Sequence, residues 1–232
     1  MVIYILKFLF TARKDAAWNY VDPTGLYQCK DSGKCDSDQD KAFEKARQND
    51  LKSKDPNVVR AAKAYGDKNT DNGTIVQFGD PGTGKNGTTV SDVRVDPSDP
   101  SKVQAKETVT IRQGLSGTDL AETVGHEGGH VADAQDFVDT IDIKSGGADQ
   151  SKNLTEYATE LKAYLVSNSV LTSANEKRNF GDCGLDPCTL GAGVSPARAL
   201  ENINRLLANP KNYGVTPANP GSVLYPLLTT PK

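Results

Sequence analysis

Val124-Gly125-His126-Glu127-Gly128-Gly129-His130-Val131 is an H-E-x-x-H stretch, and it holds both histidines of a 232-residue chain. On a helix, four residues advance about 400°, which puts the two imidazoles on one face, roughly 6 Å apart along the axis. That spacing lets both rings reach one Zn²⁺ at about 2.0–2.1 Å. Glu127 then points to an adjacent face, where it is free to take a proton from a zinc-bound water instead of ligating the ion. The bland alternative is a helix with two solvated histidines and an unrelated glutamate. It leaves the clustering of all the chain's imidazoles unexplained.

The surrounding residues support a helix of their own. Ser116 reads as its N-cap, and Asp119, three residues later, suits the positive first turn. Leu120, Val124 and Val131 fall on one side, which predicts an inward face opposite the histidines. Gly128 and Gly129 each cost a helix about 1 kcal/mol relative to alanine. Their presence predicts close approach of another backbone, such as an edge strand.

The rest of the chain narrows the classes. Its net charge of −3 lacks the electrostatic footprint of a nucleic-acid binder. No apolar run approaches the 18 or so residues of a membrane span. Residues 1–10 are apolar but interrupted by Lys7, with no basic leader and no small-residue cleavage site, so a signal peptide is not expected. The four cysteines form two tight pairs, Cys29 with Cys35 and Cys183 with Cys188. Local disulfides are the favoured expectation, with an oxidising compartment such as a periplasm implied. Neither pair has C-x-x-C spacing, which weighs against structural zinc; free thiols stay open as the third reading.

Asn19-Tyr20-Val21-Asp22-Pro23-Thr24-Gly25-Leu26 reads from its residues alone as a turn. It also resembles the N-Y-x-D-P-x-G-L signature that closes the core of Rhs-repeat polymorphic toxins. The resemblance implies that residues 1–26 are a remnant of the Rhs core and residues 27–232 a C-terminal toxin domain. It further implies an Rhs shell and secretion machinery (type VI in many bacteria), delivery into a target bacterial cell, and a cognate immunity protein in the producer.

Residues 36–54 read as a charged surface helix, and a second helix starts at Pro56 and closes at Gly66. From Asn69 the texture changes to turns and β-rich runs, with strands expected at 74–78, 90–95 and 108–112. Gly79-Asp80-Pro81-Gly82-Thr83-Gly84-Lys85-Asn86 nearly spells a phosphate-binding P-loop. However, Asn86 stands where a Ser or Thr would hold Mg²⁺, and a strand rather than a helix follows, so a glycine-rich connection is expected. Helices are expected at 153–169 and 195–208, and the proline-rich end should wrap the surface.

A catalytic zinc takes three protein ligands and leaves one position open. With no third histidine, a carboxylate is expected. Asp136 stands where the metzincin pattern would put a ligand, but Asp133 replaces the glycine that pattern needs. Glu156 and Glu160 lie one turn apart on the 153–169 helix. Glu160 flanks its apolar stripe and Glu156 lies further round. The Glu160-x-x-Ala163-Tyr164 setting resembles the ligand helix of gluzincins, which implies Glu160 as the ligand and Glu156 as the alternative. Glu156 and Asp133 are also candidates to support a ligand imidazole from behind.

The fold expected is α+β and zincin-like, with a small β-sheet packed on the H-E-x-x-H helix and a second ligand-bearing helix. The function expected is that of a zinc metallopeptidase toxin: Glu127 is the catalytic base, and Tyr157 or Tyr164 is available to an oxyanion. The alternatives are a peptidoglycan peptidase or amidase in the target periplasm, and a metal-stapled toxin that binds a partner without catalysis.

Overall fold

The computed structural model describes residues 27–29, 37–67, 73–96, 99, 101–183 and 186–225, without the side chains of Gln28, Cys29 and Asp182. The 19–26 stretch, Cys35 and the side chain of Cys29 lie outside the described part. Within it the protein is α+β, with five α-helices, a four-stranded mixed sheet and a two-stranded hairpin.

In chain order these are β1 (Gln28–Cys29), α1 (Asp38–Asp50), α2 (Pro56–Ala64), β2 (Thr74–Gly79), β3 (Gly87–Val95), β4 (Val103–Arg112) and α3 (Gly117–Val138). A 3₁₀ turn follows at Gln150–Lys152, and then come α4 (Glu156–Ser173), β5 (Lys177–Asp182), β6 (Pro187–Gly191) and α5 (Pro196–Ala208). The sheet order is β1-β2-β4-β3: β1, β2 and β4 run parallel, and β3 lies antiparallel to β4 at the edge. The β2–β3 connection therefore crosses the end of β4. Arg112 fixes it there, donating from its backbone to Asn86 and from its guanidinium to the carbonyls of Gly82 and Lys85. This is the near-P-loop stretch, and it leads into a strand.

Local chemistry sets the helix starts. Ser37 and Asp40 form a capping box on α1, Asp55 caps α2 ahead of Pro56, Thr155 caps α4, and Ser195 caps α5 ahead of Pro196. Ser116 occupies the N-cap of α3 in extended geometry, but its hydroxyl makes no cap bond. α4 begins three residues later than the periodicity suggests. The Asn153 side chain is occupied elsewhere, holding both the N–H and the C=O of Tyr225.

α3 is the central element, packed between the sheet on one side and α2 and α4 on the other. Leu120, Val124 and Val131 enter a core with Phe43, Tyr65, Val76, Val109 and Ile111. A second core joins α4, α5 and β6 through Leu171, Leu190, Ile203 and Leu207. The motif glycines do admit close neighbours, but these are helices rather than a strand. A Cβ on Gly128 would come 2.5 Å from the Ala61 carbonyl oxygen of α2, and one on Gly129 would come 3.5 Å from Ala163 Cα of α4. Cys183 and Cys188 form a disulfide that closes the β5–β6 hairpin against Leu206 and Phe180. Neither this hairpin nor β1 stands out in the sequence pattern.

Candidate metal centre and cleft

α3 and α4 run antiparallel, and their facing stripes bring His126, His130 and Glu160 to one gap. One ligand atom from each lies within 4.8 Å of the others. His126 Nε2 is 3.5 Å from Glu160 Oε2, and His130 Nε2 is 3.6 Å from Glu160 Oε1. Glu160, Ala163, Tyr164 and Ser167 recur at helical spacing, so all four line the side of α4 that meets the histidines.

The remaining ring nitrogens are held from behind. His126 Nδ1 lies 3.1 Å from Ser167 Oγ, and His130 Nδ1 lies 3.0 Å from Thr159 Oγ1. Thr159 spends its single hydroxyl proton on Asp133 Oδ2, 2.9 Å away. Its oxygen must therefore accept from His130 Nδ1–H, which fixes the ring with Nε2 turned to the gap. Asp133 is buried and is itself matched by Arg60 at 2.8 Å and by Lys162. The aspartate thus reaches the imidazole through a threonine that the sequence did not single out.

These residues fit a metal ion. Glu160 Oε2 is buried and has no hydrogen-bond donor, an arrangement that costs free energy unless a cation serves it. Burial disfavours the charged carboxylate, yet the two imidazoles and the Tyr213 phenol hold Glu160 well below the usual range. Burial likewise disfavours a charged His126, but Glu160, Glu127 and Glu122 outweigh it and raise this ring's pKa to about 9. The gap is therefore built for positive charge, which a proton or a divalent cation supplies.

Glu127 sits beside the gap against the edge strand. The Thr89 hydroxyl donates to its Oε2 at 2.8 Å, and Gly87 leaves the room its carboxylate needs. A Cβ at position 87 would come within 2.6 Å of Glu127 Oε1. The gap opens into a cleft of about 770 Å³ bounded by β3, the 83–86 loop, α3, α4, β5 and the 211–213 turn.

The other carboxylates separate. Asp136 pairs with Arg60 at 2.7 Å, away from the gap. Glu156 lines the cleft one turn before Glu160, outside the three-residue cluster. Tyr157 donates to Asn204 at 2.6 Å, whereas the Tyr164 ring packs edge-on to His126, with centroids 4.7 Å apart. Tyr213, from an irregular turn without any periodic signal, brings its hydroxyl to 3.2 Å from that of Tyr164 and beside Glu160. Burial and nearby Glu160 push both phenols far above their ordinary pKa, so both stay protonated donors. Arg178 enters the cleft wall from β5, bound to Glu122 at 3.0 Å and to Asp119. No protein-family model, no curated protein and no solved structure matches this chain.

Proposed function

We propose that this chain is a zinc-dependent peptidase of zincin-like arrangement, acting as the toxic C-terminal domain of an Rhs-type effector delivered into a competing bacterium. The observation that carries the reading is the convergence of His126, His130 and Glu160, with Glu127 held beside them against the edge strand of the described sheet. The Rhs-like 19–26 stretch supports the delivery route. The Cys183–Cys188 disulfide supports an oxidising site of action such as the target periplasm.

His126, His130 and Glu160 would hold the ion. When bound, zinc would activate a water near neutral pH and polarise the scissile carbonyl. Glu127 accepts a proton from the attacking water and returns it to the leaving nitrogen as the C–N bond breaks, giving a carboxylic acid and an amine. Thr89 keeps the Glu127 carboxylate turned to this task. Tyr213 and Tyr164 line the cleft beside Glu160 and are the phenols available to a developing oxyanion. β3 pairs only with β4 among the described residues, so its outer backbone can take up an extended peptide as an added strand.

The test is Glu127→Gln, expressed in the periplasm of a susceptible cell and assayed in vitro. Bound zinc should be retained, and hydrolysis should fall at least about 10²-fold with loss of toxicity. Killing at undiminished potency sinks the peptidase reading, and killing that is then lost on chelation favours a metal-stapled binder. Release of soluble muropeptides from sacculi by the unaltered chain moves the substrate to peptidoglycan.

A further inference from the structure

The two ends of the cleft differ. Beyond His126, one turn back along α3, the guanidinium of Arg178 is already matched by Glu122 and Asp119. Beyond His130 the cleft runs toward Ser91, Glu156 and Leu224. Leu224, from the strap of residues 220–225, lines this second end. The 220–225 strap is tied to the start of α4 by Tyr157 N–H to Pro220, Glu156 N–H to Ser222 and Leu224 N–H to Leu154, at 2.9–3.0 Å. It then crosses to the sheet side, where Tyr225 stacks on Phe137 at 5.2 Å and joins the core of Val93 and Ala105.

Glu156 stands at this end, against the strap. Its carboxylate lies over Gly221 of the strap, where a Cβ would come 2.7 Å from Oε2. The side chain is half-buried, faces the cleft and has no cation or donor on its carboxylate among the described residues. One helical turn separates it from Glu160, about 6 Å, which at about 3.4 Å per extended residue spans one or two residues of substrate.

We propose that Glu156 receives the free amino terminus of a peptide whose next bonds lie at the metal gap, so that the chain removes one or two residues from an N-terminus. The cutting step rests on the peptidase reading above; the amine site does not. An acetylated end would leave the Glu156 carboxylate partly desolvated without a partner, and a longer N-terminal extension would collide with the strap. If Glu156 were only a first-turn acid favoured by the helix dipole, its removal would lower stability slightly and leave amine preference untouched.

The experiment uses the full zinc-loaded chain carrying Glu127→Gln, immobilised and offered a mixed-sequence tripeptide library with amino termini free or acetylated. Mass spectrometry of the retained fraction should show free-amine members enriched about tenfold or more. Adding Glu156→Gln should erase that preference while the thermal midpoint stays close to that of the parent. Equal retention of acetylated members, retention only of acetylated members containing lysine, a preference that survives without Glu156, or no retention at all each overturns the assignment. Retained peptides are then given to the unaltered chain. Peptides that bind through Glu156 but are never cut overturn the peptidase reading and leave the amine site standing.

Discussion

Single residues decide where the groups of the proposed site point. Gly87 is the clearest case, because any side chain there meets the Glu127 carboxylate and Thr123 on α3. Gly87→Ala should therefore lower turnover by about tenfold or more while zinc stoichiometry and fold persist; undiminished activity would show that Glu127 has room to spare. Asp50 offers a separate test, in the protein interior. It ends α1 buried beneath the motif helix, its Oδ2 has no hydrogen-bond partner, and burial raises its pKa to about 7. Between pH 3.8 and about 7 the unfolded chain releases this proton and the folded chain keeps it, so this group makes stability fall as pH rises, by about 1.4 kcal/mol per unit. Asp50→Asn should remove that slope and leave the protein more stable than the parent at pH 8. Urea titrations at pH 5 and pH 8 measure this, and an unchanged slope would refute it.

At the level of elements, the motif helix is held by its neighbours rather than by its own propensity. Three glycines let α2 and α4 approach it, and the tightest contact is backbone to backbone at Gly128. Gly128→Ala would gain about 1 kcal/mol of helix propensity. It would also drive a Cβ into the Ala61 carbonyl, and overpacking of that kind costs about 1–3 kcal/mol. The net expectation is destabilisation together with weaker metal binding, read by thermal unfolding and zinc titration. A stabilised variant would mean that α2 is free to move aside. The sequence shows that these glycines need an explanation. It does not show which element supplies it, because Ala61 and Ala163 are distant in the chain and ordinary in type.

Across the whole molecule, two apolar cores lie on either side of the gap, one shared by α1, α3 and the sheet and one by α4, α5 and β6. Neither includes His126, His130 or Glu160, so chelation should leave the far-ultraviolet circular dichroism largely intact. It should still lower the thermal midpoint by several degrees, because an ion held by His126, His130 and Glu160 would bridge α3 to α4 and bind only the folded state. Loss of all secondary structure on chelation would instead mark the metal as the staple of the fold.

The sequence by itself determined what depends on neighbours within a few residues. Two imidazoles one turn apart, a glutamate between them, prolines and caps at helix starts, and the apolar stripes of α3 and α4 are all local facts, and local backbone geometry converts them directly into faces. The tertiary structure alone decided which side chains those faces meet. Ser167 lies 41 residues from His126, Thr159 29 from His130, and Arg60 73 from Asp133, so no spacing rule links them. The same holds for Glu160 turned to the imidazoles while Asp136 is drawn to Arg60, for Gly87 beside Glu127, and for a carboxy-terminal strap across one end of the cleft. Each depends on the packing of whole elements, where burial and shape choose among partners that the chain's local chemistry leaves equivalent.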